Sequence, residues 1–243
     1  MIMETVLQNL ANDALRETIC VVISQVNLLL CLVTDMLDLK LLEQGQFVAR
    51  KETFKTADVF QFVFKIFEFQ AKLQDSTISF EAKGNKPLPD SLIGDHIHLK
   101  QVLVNLIKNA LKFSQRQEIK IQAKYEAREQ LLHVAVIDKG RGIKADEMAN
   151  LFTFFGKIKR TERDNLDGIG MGLTICHKIV ERNGGSIDVF SEGENQGSTF
   201  LFTMQMKTPE QIANHQSETP NVNQGDKSSI NTGRQDDESK LLR

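Results

Sequence analysis

Residues 95–143 read DHIHLKQVLVNLIKNALKFSQRQEIKIQAKYEAREQLLHVAVIDKGRGI, a pattern that runs from a helix through two strands into a glycine-flanked carboxylate. Asp95–Phe113 has helical spacing, and it places Asn105 and Asn109 four residues apart on one face, with Lys108 and Lys112 as an adjacent stripe. An amide oxygen is a hard, neutral ligand suited to Mg²⁺, which draws its other oxygens from water and phosphate. Lys112 would meet a phosphate as a point charge. Taken alone, such a face is more often ordinary helix surface. Residues 119–125 and 131–137 alternate as strands, and the second runs directly into Asp138-Lys139-Gly140-Arg141-Gly142-Ile143. A carboxylate at a strand end can accept a hydrogen bond from an exocyclic amine such as that of adenine, while Gly140 and Gly142 allow close approach of backbone to a flat base. A plain glycine turn with a solvated Asp is the competing reading.

Working outward, Asp167-Gly168-Ile169-Gly170-Met171-Gly172-Leu173 precedes a helix over 173–182, so its amides and the helix N-terminus are placed to meet phosphate oxygens. The loop is neither a Walker sequence nor a G-x-G-x-x-G fingerprint. Between the two glycine motifs stand Leu151-Phe152-Thr153-Phe154-Phe155 and then a basic, polar stretch with Lys157, Lys159, Arg160 and Arg163, which reads as an aromatic anchor and a lid. On the N-terminal side, Leu15, Ile19, Val22, Val26, Leu29, Val33 and Met36 alternate at spacings of four and three, the seam of a bundle helix ended by Gly45. A strand is expected near 46–49, a helix with a Thr-x-Asp cap over 56–73, a strand over 77–82, and a closing hairpin of 186–190 and 199–204. From Lys207 the chain is rich in Gln, Asn, Ser and Asp, and residues 207–243 are expected to form a disordered polar tail.

Composition bounds the partners. The chain has 243 residues, 41% hydrophobic and 26% charged, with a formal net charge of -2; this gives no electrostatic case for nucleic acid. Residues 19–39 are interrupted by Ser24, Gln25, Asn27, Thr34, Asp35 and Asp38, which disqualifies them as a membrane span. No secretory leader is expected ahead of them. Cys20, Cys31 and Cys176 show no paired or metal-type spacing, so reduced thiols and a cytoplasmic setting are expected.

In this order the motifs resemble the sensor histidine kinases of two-component signalling, within the ATP-binding superfamily shared with type II topoisomerases and heat-shock chaperones. The resemblance covers roughly residues 1–206. Asp95–Phe113 is similar to the family's N box, with Asn105 and Asn109 as its asparagines. Asp138–Ile143 is similar to the G1 box, Phe152 and Phe155 to the F box, and Gly168–Leu173 to the G2 box. Gly197-Ser198-Thr199-Phe200 is similar to the closing glycine motif. Residues 34–45 resemble the second helix of the dimerisation and phosphotransfer hairpin.

The fold implied is α+β, a two-layer α/β sandwich of the Bergerat type with a mixed sheet. The implied domains are a partial dimerisation hairpin over 1–45 and an ATP-binding domain over 46–206. The resemblance implies ATP and Mg²⁺ held by Asn105, Asn109, Lys112, Asp138, Gly140, Gly142, Phe155, Gly168, Gly170, Gly172, Leu173 and Thr199, the metal falling to Asn109 and Asn105. The implied reaction is transfer of the γ-phosphate to a hairpin histidine, with a homodimer or partner kinase through the hairpin and a response-regulator receiver domain downstream. Asn105 stands where the hydrolytic branch has a glutamate base, and an amide cannot abstract a proton. The resemblance implies an acceptor histidine followed by an acidic residue on the first hairpin helix, expected several residues before Met1; none of His96, His98, His133, His177 or His215 is followed by Asp or Glu. The alternatives are a non-enzymatic ATP-binding regulator of the same fold and a hydrolytic ATPase.

Overall fold

The bundle-type periodicity produces one long helix, α1 (Asp13–Glu43), in a computed structural model that describes residues 13–114, 116–148, 151–152 and 172–217. Gly45 stops α1 at a φ of +68°, a conformation that a residue with a Cβ resists. The amide of Gln46 then closes on the Leu41 carbonyl at 2.8 Å. No strand forms at 46–49, contrary to expectation. Phe47 is instead buried against the His98 ring, and the ladder begins later, where β1 (Glu52–Lys55) pairs antiparallel with β3 (Ser91–Gly94), a strand the sequence pattern did not announce.

Helix α2 (Thr56–Leu73) has the expected span without the expected cap. Its N-cap is Lys55, and the Thr56 hydroxyl donates to the Pro89 carbonyl at 2.6 Å, fastening the helix start to the segment entering β3. The main sheet contains β2 (Thr77–Ala82), β4 (Glu118–Glu126), β5 (Leu131–Asp138), β7 (Ser198–Gln205) and β6 (Ile187–Phe190), in that spatial order. β2 and β4 are parallel; the other pairings are antiparallel. The sheet is therefore mixed, as implied.

Helices α2, α3 (His96–Phe113) and α5 (Gly172–Arg182), the last preceded by the one-turn α4 (Ala145–Met148), pack in a layer on the sheet, with α3 between the other two. Leu99, Leu103, Leu106, Ile107 and Leu111 give α3 a fully buried stripe, each side chain contributing about 1.5–3 kcal/mol by leaving water. On β5, Leu132, Val134, Val136 and Asp138 alternate onto the buried side, and the period of two therefore carries the carboxylate at the strand end into the layer between sheet and helices.

The chain does not leave the fold at 206. Met206 is buried, Lys207 exchanges backbone hydrogen bonds with Ile93 at 2.7 and 3.0 Å, and α6 (Pro209–Ser217) follows. The Tyr125 hydroxyl lies 2.9 Å from both the Met206 carbonyl and Gln211 Oε1. Residues 207–217 are thus ordered, correcting the expected start of the tail; the rest of that tail lies outside the described residues. No helix among the described residues is long and apolar enough to cross a membrane.

Candidate nucleotide site

Asp138 is the last residue of β5 and faces Ser198 across the β5–β7 ladder. The Ser198 hydroxyl donates to one carboxylate oxygen, and the Gly140 amide donates to the other at 2.8 Å. Both oxygens are oriented and each retains a free lone pair. Asp138 is 6% exposed, so this is a rigid acceptor at the mouth of a buried layer.

Its loop is built for tight contact. A Cβ at Gly140 would lie 2.2 Å from the Phe113 carbonyl oxygen, and one at Gly142, where φ is +67°, would lie 1.9 Å from that of Gly193. The Arg141 amide donates to the Phe113 carbonyl at 3.2 Å, and its guanidinium lies 3.9 Å over the Phe113 ring, tying the loop to the end of α3. From the other side the β6–β7 turn grips the same loop. Asn195 and Gly197 amides donate to the Arg141 and Gly140 carbonyls at 2.6 and 3.1 Å. The Ser191 hydroxyl accepts from the Ile143 amide at 3.0 Å and donates to the Gly197 carbonyl at 2.7 Å.

The α3 face completes the arrangement. Asn105 is buried and Asn109, one turn on, is half-buried. Gly172, the first residue of α5, abuts it; a Cβ there would come within 3.1 Å of Asn105 Oδ1. Leu173 packs against the core, Lys112 is half-buried with its ammonium 5.6 Å from the Phe113 ring centre, and Phe152 lies 5.7 Å from the His177 ring. Phe155, Gly168 and Gly170 lie outside the described residues, as does most of the lid segment.

Thr199 pairs with Ile137 and alternates to the face of β7 opposite Ser198, whose hydroxyl is the one on Asp138. The contacts of Ser198 and Ser191 were not anticipated. The inward alternation of Ser198, Phe200, Phe202 and Met204 is the signal that could have selected Ser198. Among the described residues no cluster of three or more His, Cys, Asp or Glu side chains is placed to hold a metal ion. The amide oxygens of Asn105 and Asn109 fit Mg²⁺, which keeps most of its shell for water and phosphate.

Residues 94–208 match the family model described as histidine kinase-, DNA gyrase B- and HSP90-like ATPase. Over this segment the chain is similar to that ATPase family. The chain is 30% identical over 190 residues to the autoinducer 2 sensor kinase/phosphatase LuxQ of Vibrio parahaemolyticus, a stretch covering 76% of this chain and 22% of that protein. It is 34% identical over 132 residues to the aerobic respiration control sensor protein ArcB of Escherichia coli, covering 54% of this chain and 17% of that protein. The chain therefore matches about a fifth of the length of these relatives. Among solved structures, full-length ShkA in complex with AMPPNP superposes with a TM-score of 0.63 at 26% identity, over 74% of this chain and 36% of that one. The catalytic domain of the histidine kinase ThkA gives 0.54 at 28% identity, over 66% of this chain and 98% of that domain. Its mixed sheet and helix layer match those histidine-kinase neighbours.

Proposed function

We propose that this chain binds Mg²⁺-ATP between α3, the 138–143 loop and the start of α5, and donates the γ-phosphate to a histidine on a dimerisation hairpin. The observation that carries this reading is Asp138, a buried carboxylate fixed at both oxygens beside glycines whose missing side chains leave the loop closed on its neighbours. It would accept from the adenine amine, with Gly140 and Gly142 against the base. Asn105 and Asn109 would hold the metal, Lys112 would reach the phosphates, and Gly172 with Leu173 would present the α5 N-terminus to them. Phe155, Gly168 and Gly170, outside the described residues, complete the proposed set of ATP contacts. When bound, Mg²⁺ supplies charge neutralisation at the phosphate oxygens.

Asn105 can orient and coordinate but cannot take a proton from water, so attack by water gains no general base from it. The remaining chemistry is positional. An imidazole nitrogen forms the new bond to phosphorus while the bond to the leaving ADP breaks, and the protein's part is alignment and charge stabilisation. Val22, Val26, Leu29, Val33 and Met36 leave an apolar stripe on α1 exposed, which supports pairing with a second hairpin helix and a second copy or partner kinase. A receiver domain would then accept the phosphoryl group. ShkA, one of the neighbours, was solved with the ATP analogue AMPPNP, which supports ATP as the ligand.

Equilibrium titration with ATP and GTP in Mg²⁺ tests the site. The chain should favour ATP, whose amine meets Asp138, and Asp138→Asn should abolish that preference. An unchanged ATP affinity in Asp138→Asn sinks the assignment.

A further inference from the structure

α1 meets the ATPase-family domain through a buried cluster of charge that the nucleotide chemistry does not use. Asp38 on α1 and Asp95 at the N-cap of α3 sit on opposite nitrogens of the His98 ring. Nδ1 lies 2.6 Å from Asp95 Oδ2, a strong hydrogen bond. Nε2 lies 3.6 Å from Asp38 Oδ2, an ion-pair distance rather than a hydrogen bond. All three side chains are nearly or fully removed from solvent. Asp38 Oδ2 has no hydrogen-bond partner among the described residues, so its charge is answered by His98.

The surroundings concentrate connections at this point. Asp95 accepts from the His98 amide at 3.1 Å, capping α3, and from the Arg50 amide at 2.8 Å, drawing in the segment that follows α1. Phe47 from the same segment packs on the His98 ring at 4.6 Å between centres. Burial works against a charged ring here, but the carboxylates of Asp38 and Asp95 overcome it and raise the His98 pKa from 6.5 to about 9. The ring is therefore an imidazolium at neutral pH. Leu42 and Phe47 are also buried at the junction, but apolar contacts are non-directional and would hold α1 near the domain without setting its register. A buried imidazolium between two carboxylates has one good geometry, and losing one partner leaves a charge stranded in a poor dielectric.

We propose that Asp38, His98 and Asp95 form a charged joint that locks the C-terminal end of α1 to the start of α3, so that the hairpin helix and the helix bearing Asn105 and Asn109 open and close as one unit. α1 also packs on α5, whose first residue abuts Asn105. The pose of α1 is thereby referred to both elements assigned to the phosphates. Asp38 and His98 are positioning residues in this account.

Hydrogen exchange on the whole chain without nucleotide decides the joint whether or not the ATP reading holds. Asp38→Asn preserves shape and leaves the α3 cap intact. It should speed exchange across residues 36–50 by at least about tenfold, leave the β4–β5 amides unchanged, and also speed 96–104, since sub-global opening is shared within a cooperative unit. His98→Gln should reproduce this, and the double variant should be no faster than the faster single one, because both remove the same interaction. Exchange over 36–50 within about twofold of wild type in Asp38→Asn would overturn the proposal. So would acceleration in His98→Gln confined to 96–104, which is what a purely local helix-capping role gives. Should His98→Gln fail to fold, Asp38→Asn decides alone.

Discussion

The hydroxyl at Ser198 and the amide at Gly140 aim the Asp138 carboxylate before any ligand arrives. Ser198→Ala leaves the fold intact and one carboxylate oxygen unheld. ATP affinity should fall by roughly tenfold, the worth of one hydrogen bond to a charged group; Ser198→Thr should retain most of it, and calorimetric titration reads both. Asp138 was legible in the sequence because a strand, a carboxylate and two glycines stand in succession. The role of Ser198 was not legible because neighbouring hydroxyls look alike until strand alternation assigns each a face.

A second residue-scale prediction concerns pH. The His98 pKa in the fold is raised above its unfolded value of 6.5, so its contribution is fully present below about pH 6.5 and is lost as pH rises through about 9. A shift of that size corresponds to a contribution on the order of 3 kcal/mol. Thermal melts should show wild type losing stability between pH 7 and pH 10 relative to His98→Gln. Parallel curves for the two proteins would refute the charged state assigned to the ring. This role was not legible from residue order, since Asp38 and His98 are brought together by the return of the chain after α1.

At the scale of elements, the site's loop is shaped between the end of α3 and the β6–β7 turn. Gly142→Ala would drive a methyl group into the Gly193 carbonyl at a φ of +67°, whereas a Cβ at Gly45, where φ is +68°, meets nothing within 4 Å. Gly142→Ala should therefore cost more stability and more ATP affinity than Gly45→Ala, as read by melting and titration; equal effects would contradict the described packing. Helices α2, α3 and α5 and the five main-sheet strands were legible because each carries an uninterrupted period of 3.6 or 2. β3 escaped because Ser91-Leu92-Ile93-Gly94, between a proline turn and a helix cap, sets its two apolar residues side by side rather than in alternation. Residues 46–49 misled because an apolar Phe47 and Val48 read as strand, while Phe47 is buried by a ring contact and no partner strand lies alongside.

For the whole molecule, the fold extends past the sheet's last strand. Cutting after Met206 removes the Lys207–Ile93 pairing and the Gln211 contacts to Tyr125 and Ala127. Such a chain should be less stable than one ending at 217 by about 1–3 kcal/mol, from the sum of a few hydrogen bonds; equal denaturation midpoints would show that α6 is only an appendage. Low apolar content concealed this segment, because its docking rests on backbone pairing and one glutamine rather than on a hydrophobic face.

The family was legible from the order of its motifs, and their convergence explains why: Asn105, Asp138 and Gly172 come from three separate stretches that the α3–α5 contact and the loop on Phe113 gather around one end of the sheet. The most direct test of the account incubates this chain with Mg²⁺-ATP labelled at the γ-phosphate and a separate hairpin bearing an acceptor histidine. The account predicts acid-labile label on that histidine, lost with Asp138→Asn. Steady release of inorganic phosphate with no label on the hairpin would contradict it.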